Sequence, residues 1–225
     1  MTSEKRNYLI VGGSKGIGLS LAQLLTPHHQ VLTTSRQPGA SLVWNATDPF
    51  PTEGLPEHLD GLVYAPGTIN LKPFHRLTDS EFQEDWQVNV MGAVRVIRTV
   101  LPLLKKGISP SIVLFSTVAV QQGLPFHASI AMAKGAIEGL TRSLAAELAP
   151  TIRVNAIAPS ITDTPLAEKL LGSPEKKNAS AERHPLKKIG LPEDHAQLAE
   201  FLLSTRAGWI TAQVFGVDGG LSRIR

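Results

Sequence analysis

Residues 11–18 read V-G-G-S-K-G-I-G, with Gly12, Gly16 and Gly18 spaced G-x-x-x-G-x-G between an apolar run and an amphipathic stretch. Glycines at such a junction let the main chain turn sharply and approach a pyrophosphate, whose charge rests on the free amides of the following helix. The spacing alone is weak evidence, and its place between a strand-like run and a helix is what gives it meaning. Gly12, Ser14, Lys15, Gly16, Ile17 and Gly18 are thus candidates for holding a dinucleotide. The next apolar run, V-L-T-T-S-R, ends in Arg36 rather than in an acid. An acid there would accept from a ribose 2′-hydroxyl and repel a 2′-phosphate, whereas Arg36 with Lys15 pairs with that phosphate. NADP(H) is therefore preferred over NAD(H) as cofactor; the alternative is that both cations face only solvent.

A binding loop of this kind needs a particular scaffold. Short apolar runs at 8–11, 31–34, 41–44, 61–64, 112–116, 153–157 and 213–217 alternate with helical patterns at 17–25, 79–104, 128–148 and 192–203. Strands alternating with helices imply crossover connections and a parallel sheet, and runs that are apolar throughout imply a sheet covered on both faces. The expected fold is α/β, a doubly wound (Rossmann) sheet of about seven strands in a single domain over residues 1–225. The link at 44–61 carries Pro49, Pro51, Gly54 and Pro56, so any helix there must be brief. Residues 167–191 break the periodicity with Gly172, Pro174, Pro185 and two lysine pairs, and suit either a substrate loop or a surface insertion.

Bulk composition narrows the partners. Of 225 residues none is cysteine, which excludes disulfides, thiolate metal sites and thiol catalysis, and no metal is expected. The net charge of +3 comes with no basic run longer than a lysine pair, so nucleic acid is not an expected partner. The N-terminus lacks a signal-peptide core and no apolar stretch of membrane-spanning length is evident, so the expectation is a cytoplasmic protein without a membrane partner.

The motif string W-N-A-T-D, Y-A-P-G at residues 64–67, N-V-M-G at 89–92, V-N-A-I-A-P at 154–159 and V-D-G-G at 217–220, following the glycine loop, resembles the short-chain dehydrogenase/reductase family. The likeness is greatest to its 3-oxoacyl-carrier-protein reductase type. The resemblance implies that Asn45 and Ala46 flank the adenine, that Ala65, Pro66 and Gly67 pack beside the cofactor, and that Pro159, Thr162 and Thr164 pass the nicotinamide and its phosphates. Tyr64 departs from the asparagine usual at its position. The resemblance also implies a homotetramer, with a dimer next, paired through helices 79–104 and 128–148 and the C-terminal strand.

Chemistry in this family is hydride transfer between a nicotinamide and a carbonyl or alcohol, with a tyrosine as acid/base in Y-x-x-x-K. Lys134 matches the lysine, Asn89 the asparagine that holds a relay water or else only bonds neighbouring backbone, and Thr117 the substrate-orienting serine, with Ser116 expected on the opposite face. Four residues before Lys134, however, stands Ile130, whose alkyl side chain transfers no proton. His127 lies seven residues before Lys134, about 20° away around a helix and roughly 10 Å along it, and is the local candidate for proton carrier, the alternative being an ordinary histidine at the helix start or a wall of the substrate pocket; Ser129 is weaker. Lys134 retains a role on the nicotinamide ribose that needs no tyrosine. The expected function is an NADP(H)-dependent oxidoreductase acting on a small or medium carbonyl or hydroxyl compound with a non-standard acid/base set. The alternative is a catalytically degenerate cofactor-binding protein. Thr117, Gln121, Gln122, His127 and residues 167–191 are expected to line a substrate pocket without a fixed charge.

Overall fold

The computed structural model describes residues 5–224. In β1 (Asn7–Val11) Tyr8 and Ile10 join one core cluster and Leu9 and Val11 the other, so the strand is covered on both sides as its unbroken apolar run requires. There follow α1 (Gly16–Leu25), β2 (Gln30–Ser35), β3 (Leu42–Val43), β4 (Gly61–Tyr64), α2 (Asp79–Trp86), a π-helical turn (Gln87–Met91) and α3 (Gly92–Leu104). Then come β5 (Ser111–Phe115), α4 (Ala119–Gln122), α5 (Ala128–Leu148), β6 (Arg153–Pro159), α6 (Glu168–Leu171), α7 (Pro174–Glu182), α8 (Pro192–Leu203) and β7 (Val214–Val217).

All seven strands lie in one parallel sheet, in the order β3-β2-β1-β4-β5-β6-β7. The chain winds outward from β1 to β3, then returns to lay β4 on the other side of β1. That reversal opens a crevice at the carboxyl ends of β1 and β4, where doubly wound sheets bind ligands. Helices α3 and α5 cover one face through Val96, Ile97, Val100, Leu104 and Ile137. Helices α1 and α8 cover the other through Leu21, Leu25, Leu202 and Leu203. Arg153 ties α8 to the sheet, its guanidinium donating to the carbonyls of Leu202 at 2.8 Å and Ser204 at 3.1 Å. These carbonyls end the helix, where they lack helical partners and attract a cation.

Three expectations change. No helix forms in residues 44–61, which cross to β4 by turns because their three prolines and Gly54 interrupt every possible helical turn. The rod Asp79–Leu104 is long and apolar enough, by length and composition, to pass for a membrane span. Its apolar side is nevertheless spent on the sheet, with Ala93, Val96 and Val100 fully buried, as in the core helix of a globular protein. Residues 167–191, finally, are substantially helical: Ser173 accepts from the Lys176 amide at 3.3 Å and Pro174 starts α7, an N-cap followed by proline at the first helical position.

Candidate active site

The glycine turn is built from close approaches. Gly12 has φ +80°, a left-handed conformation, and a Cβ there would also press on the Pro66 ring at 3.2 Å. A Cβ at Gly18 would overlap the carbonyl oxygen of Gly12, so only glycine lets α1 begin this near the end of β1. The amides of Gly12 and Gly13 are anchored on Thr34 of β2, through its hydroxyl and its carbonyl, each at 3.2 Å. Lys15 occupies the N-cap of α1 without capping it by side chain, which leaves first-turn amides available to an anion. Ser14 and Lys15 are exposed, Ile17 half-buried and lining the adjoining cavity. Arg36, at the end of β2, is exposed and forms no ion pair among the described residues.

The other cofactor candidates ring the same crevice. Ala65 donates from its amide to the Val11 carbonyl at 3.0 Å, continuing the β1–β4 pairing, and Pro66 and Gly67 follow it over the glycine turn. Ala46 is buried, with its carbonyl accepting from Arg95 at 2.9 Å, while Asn45 is exposed and bonded to Thr47 at 2.9 Å. Pro159 ends β6. The Thr164 methyl stands 3.3 Å from where a Cβ of Gly16 would be. Thr162 is buried, donating to the Ser160 carbonyl at 3.0 Å and accepting from His195 Nε2 at 2.8 Å. Burial holds His195 neutral, pushed down to about 4 and only partly offset by Asp194. This cradle, with free helix amides and cations of Lys15 and Arg36 at its rim, fits a nicotinamide dinucleotide.

Beside the cradle lies a cavity of about 420 Å³. Thr117, His127, Ile130 and Lys134 all line it, so the expected catalytic face of α5 is assembled with the alkyl group of Ile130 where the phenol would stand. Lys134 donates to the Phe115 carbonyl at 2.9 Å, and burial lowers its pKa to about 8, with Asp85 opposing that shift. The Thr117 hydroxyl donates to the Pro159 carbonyl at 3.5 Å and accepts from the Ala119 amide at 3.3 Å. His127 is the N-cap residue of α5. Its Nδ1 lies 2.7 Å from the Pro125 carbonyl, an acceptor only, so Nδ1 carries the proton and Nε2 a lone pair when the ring is neutral.

Asn89 sits in the π-helical turn. Its amide donates to the Asp85 carbonyl one turn back and to the Thr68 hydroxyl, both at 2.8 Å. Its Oδ1 is left buried without a partner, as is Oδ2 of Asp85, whose Oδ1 accepts from Thr68 and from Asn70 at 2.9 Å. A methyl group at Gly67 would lie 3.4 Å from Asn89 Oδ1 and 3.7 Å from Lys134 Nζ, so Gly67 keeps the space beside both groups open.

Other predicted positions move. Ser129 is fully buried and its hydroxyl donates to the Glu81 carbonyl at 3.5 Å, away from the cavity. Gln121 and Gln122 do not line it either; they are exposed and bond to Arg223 at 3.2 Å and the Leu221 carbonyl at 3.1 Å. Ser116 follows the end of β5 and so escapes strand alternation, lining the cavity while its hydroxyl donates to Glu138 at 2.8 Å. Nor is the cavity free of charge besides Lys134. Arg183 lines it from the end of α7, and among the described residues no Asp or Glu does.

Sequence reasoning missed Thr68 and Asp85, and it placed Arg183 and His184 at the pocket only as part of residues 167–191, without the bond that joins His184 to Ser160. His184 is 3% exposed and bonded through Nε2 to Ser160 Oγ and through Nδ1 to the Ser180 carbonyl, each at 2.8 Å. Asp218 lies nearby. Burial raises its carboxyl, but hydrogen bonds from Ser222 and Gly220 and the field of His184 bring it below the ordinary range.

Comparison with known proteins gives a consistent result. The family model described as Enoyl-(Acyl carrier protein) reductase matches residues 52–222. The 3-oxoacyl-[acyl-carrier-protein] reductase FabG of Thermotoga maritima is 41% identical over 145 residues, which span 62% of this chain and 58% of that protein. L-xylulose reductase of Bos taurus is 32% identical over 235 residues, covering 96% of each. Among solved structures, ligand-free aldohexose dehydrogenase of Thermoplasma acidophilum superposes with a TM-score of 0.90 at 27% identity, covering 99% of this chain and 96% of that one. ElxO with NADP bound superposes with a TM-score of 0.86 at 27% identity, covering 97% and 99%.

Proposed function

The chain belongs to the short-chain dehydrogenase/reductase family, and we propose that it is an NADP(H)-dependent oxidoreductase acting on a small or medium carbonyl or hydroxyl compound without the family's tyrosine. The observation that carries this reading is the opening of the glycine cradle and of the Thr117–Ile130–Lys134 wall onto adjoining space. NADP-bound ElxO, a structural neighbour, supports the choice of cofactor, as does the absence of an acid where Arg36 stands.

In this reading Gly12 to Gly18 hold the pyrophosphate and Arg36 and Lys15 the 2′-phosphate. Asn45, Ala46 and residues 65–67 flank the adenosine side. Pro159, Thr162 and Thr164 flank the nicotinamide side. When bound, the nicotinamide supplies or accepts the hydride. Lys134 donates to the ribose hydroxyls, a role for which its position against the Phe115 carbonyl pre-orients it. Thr117 orients the substrate oxygen. Ile69, Leu71, Leu166 and Leu170 line the cavity and exclude water from that oxygen. Residues 167–191 form the substrate-binding segment. We place the protein in the cytoplasm as a homotetramer, its second interface formed around β7, next to the fully exposed Trp209.

The test is calorimetric titration with NADPH and NADH beside a panel of ketones, 3-oxoacyl thioesters, ketoses and enones followed by NADPH absorbance. Tight NADPH binding with substrate-dependent oxidation is the expected result. Binding without turnover of any carbonyl would overturn the enzymatic reading.

A further inference from the structure

The wall facing the cavity at the end of β6 carries a serine–histidine pair that the family's chemistry does not use. Ser160 follows β6 directly, its amide donating to the Val217 carbonyl of β7 at 3.3 Å, so its backbone is fixed at the sheet's carboxyl edge. Its hydroxyl is 2.8 Å from His184 Nε2, and both residues line the cavity. The Ser180 carbonyl accepts from Nδ1, which fixes the neutral tautomer, so Nε2 accepts from the serine hydroxyl. The positive-φ turn at Gly219 runs beside the ring, and a Cβ there would be in van der Waals contact with the His184 side chain at 3.6 Å.

Resting on the oxidoreductase reading above, we propose that Ser160 and His184 deliver the substrate proton in place of the phenol absent at Ile130. Ser160 is then the catalytic residue and His184 the positioning and relay residue behind it. In the direction of reduction, the hydride the cofactor supplies bonds to the carbonyl carbon and the carbonyl π pair moves onto oxygen. The Ser160 O–H bond breaks as that oxygen gains its proton, and a proton taken up from solvent at His184 Nε2 passes to Oγ and restores the hydroxyl. One carbonyl, one reduced nicotinamide and one solvent proton become one alcohol and one oxidised nicotinamide, and His184 ends neutral as it began. Asp218 and Arg183 are the charged neighbours of the pair. His127 lacks such an arrangement, since its Nδ1 is committed to Pro125 and, among the described residues, no hydroxyl is bonded to its Nε2.

Two measurements test this. In the cofactor-free protein, ¹⁵N NMR of the imidazoles should show His184 as the Nδ1–H tautomer, with an Nε2 resonance that moves in Ser160→Ala. In steady-state kinetics, Ser160→Ala and His184→Gln should each lower kcat about a hundredfold, the range of a positioned acid, while NADPH affinity stays within about twofold. An Nε2–H tautomer, or an Nε2 signal indifferent to Ser160→Ala, overturns the pairing even if the native protein proves inert. Native turnover that survives both substitutions, or that falls with His127→Ala instead, overturns the proposal while leaving the oxidoreductase reading in place. Ser160→Ala removes a single oxygen, so it remains informative if His184→Gln fails to fold.

Discussion

Replacing Gly92 by alanine tests how the strand end and the π-helical turn depend on one another. Tyr64 closes β4, is 2% exposed, and donates its hydroxyl to the Val88 carbonyl at 2.5 Å. Gly92, the first residue of α3, is where this hydroxyl passes: a Cβ there would overlap Tyr64 Oη and lie 3.2 Å from Cζ and 3.0 Å from the Ala46 Cβ. Alanine should gain about 1 kcal/mol from helix propensity. Against that, displacing a buried phenol costs about 1–3 kcal/mol in overpacking, and unpairing it from Val88 costs roughly another 1–3 kcal/mol. A net loss of about 1–5 kcal/mol follows from these terms. Tyr64→Phe alone loses only the hydrogen bond, about 1–2 kcal/mol. The double variant no longer has the oxygen that the new methyl strikes, so it should be more stable than Gly92→Ala by about 1 kcal/mol or more, despite lacking one more group. Urea unfolding followed by circular dichroism measures all four corners of the cycle. Additive losses, within about 0.5 kcal/mol, would refute the argument. Because the same turn carries Asn89, Gly92→Ala should also depress any turnover more than Tyr64→Phe does.

Arg36→Ala should weaken NADPH about tenfold, a discounted value for an exposed charge-assisted contact, and leave NADH unchanged; equal losses for both cofactors by calorimetry would count against a 2′-phosphate role. Ile130→Tyr places a phenol one helical turn before Lys134 in a cavity with room for it, and should raise ketone reduction by about 10² to 10⁴, the worth of a positioned acid; no gain in a folded, NADPH-binding variant would mean that the surrounding geometry has diverged. Lys134, held near pKa 8 by burial, binds fewer protons folded than unfolded between about 8 and 10.5, so stability should rise with pH across that window and the rise should vanish in Lys134→Met. A Lys134→Met protein with the same slope in urea titrations would show that the amine is not desolvated.

What the sequence made legible follows from how local each signal is. The apolar runs match the strands of the described residues, most clearly at β1, β4, β5 and β6, which are central, buried nearly throughout and so need no partner to be recognised. Helices α5 and α8 match to the residue: Pro192 marks the start of the latter, and α5 carries a sustained pattern. The helix 79–104 looks continuous in sequence, and its π-helical turn is invisible there. The features around it are non-local: the Tyr64 hydroxyl on Val88, from a strand 24 residues earlier, and the Thr68 hydroxyl taken by Asn89. Residues 167–191 held a legible helix start in Ser173–Pro174, hidden by the glycine and prolines around it.

The same distinction explains why the proposed Ser160–His184 pair could not be read from the sequence as a unit. Spacing on α5 put Ile130 and Lys134 on one face, because i, i+4 neighbours share a helix face whatever the rest of the chain does, and both line the cavity. Candidates drawn from that helix alone were then limited to His127 and Ser129, and the second of these turns its hydroxyl to Glu81. The pair Ser160 and His184 is separated by 24 residues and joined only when α7 folds back over the end of β6. No periodicity links a residue after a strand to one after a distant helix, and His184 stands in the segment whose pattern was least regular. Ile130 is itself 5% exposed and lines the cavity wall. The fold at that point therefore requires a side chain of suitable volume rather than a phenol. With the phenol gone from α5, a proton source on the β6 side of the same cavity can meet the substrate oxygen without any change in the helices that carry Lys134 and Asn89.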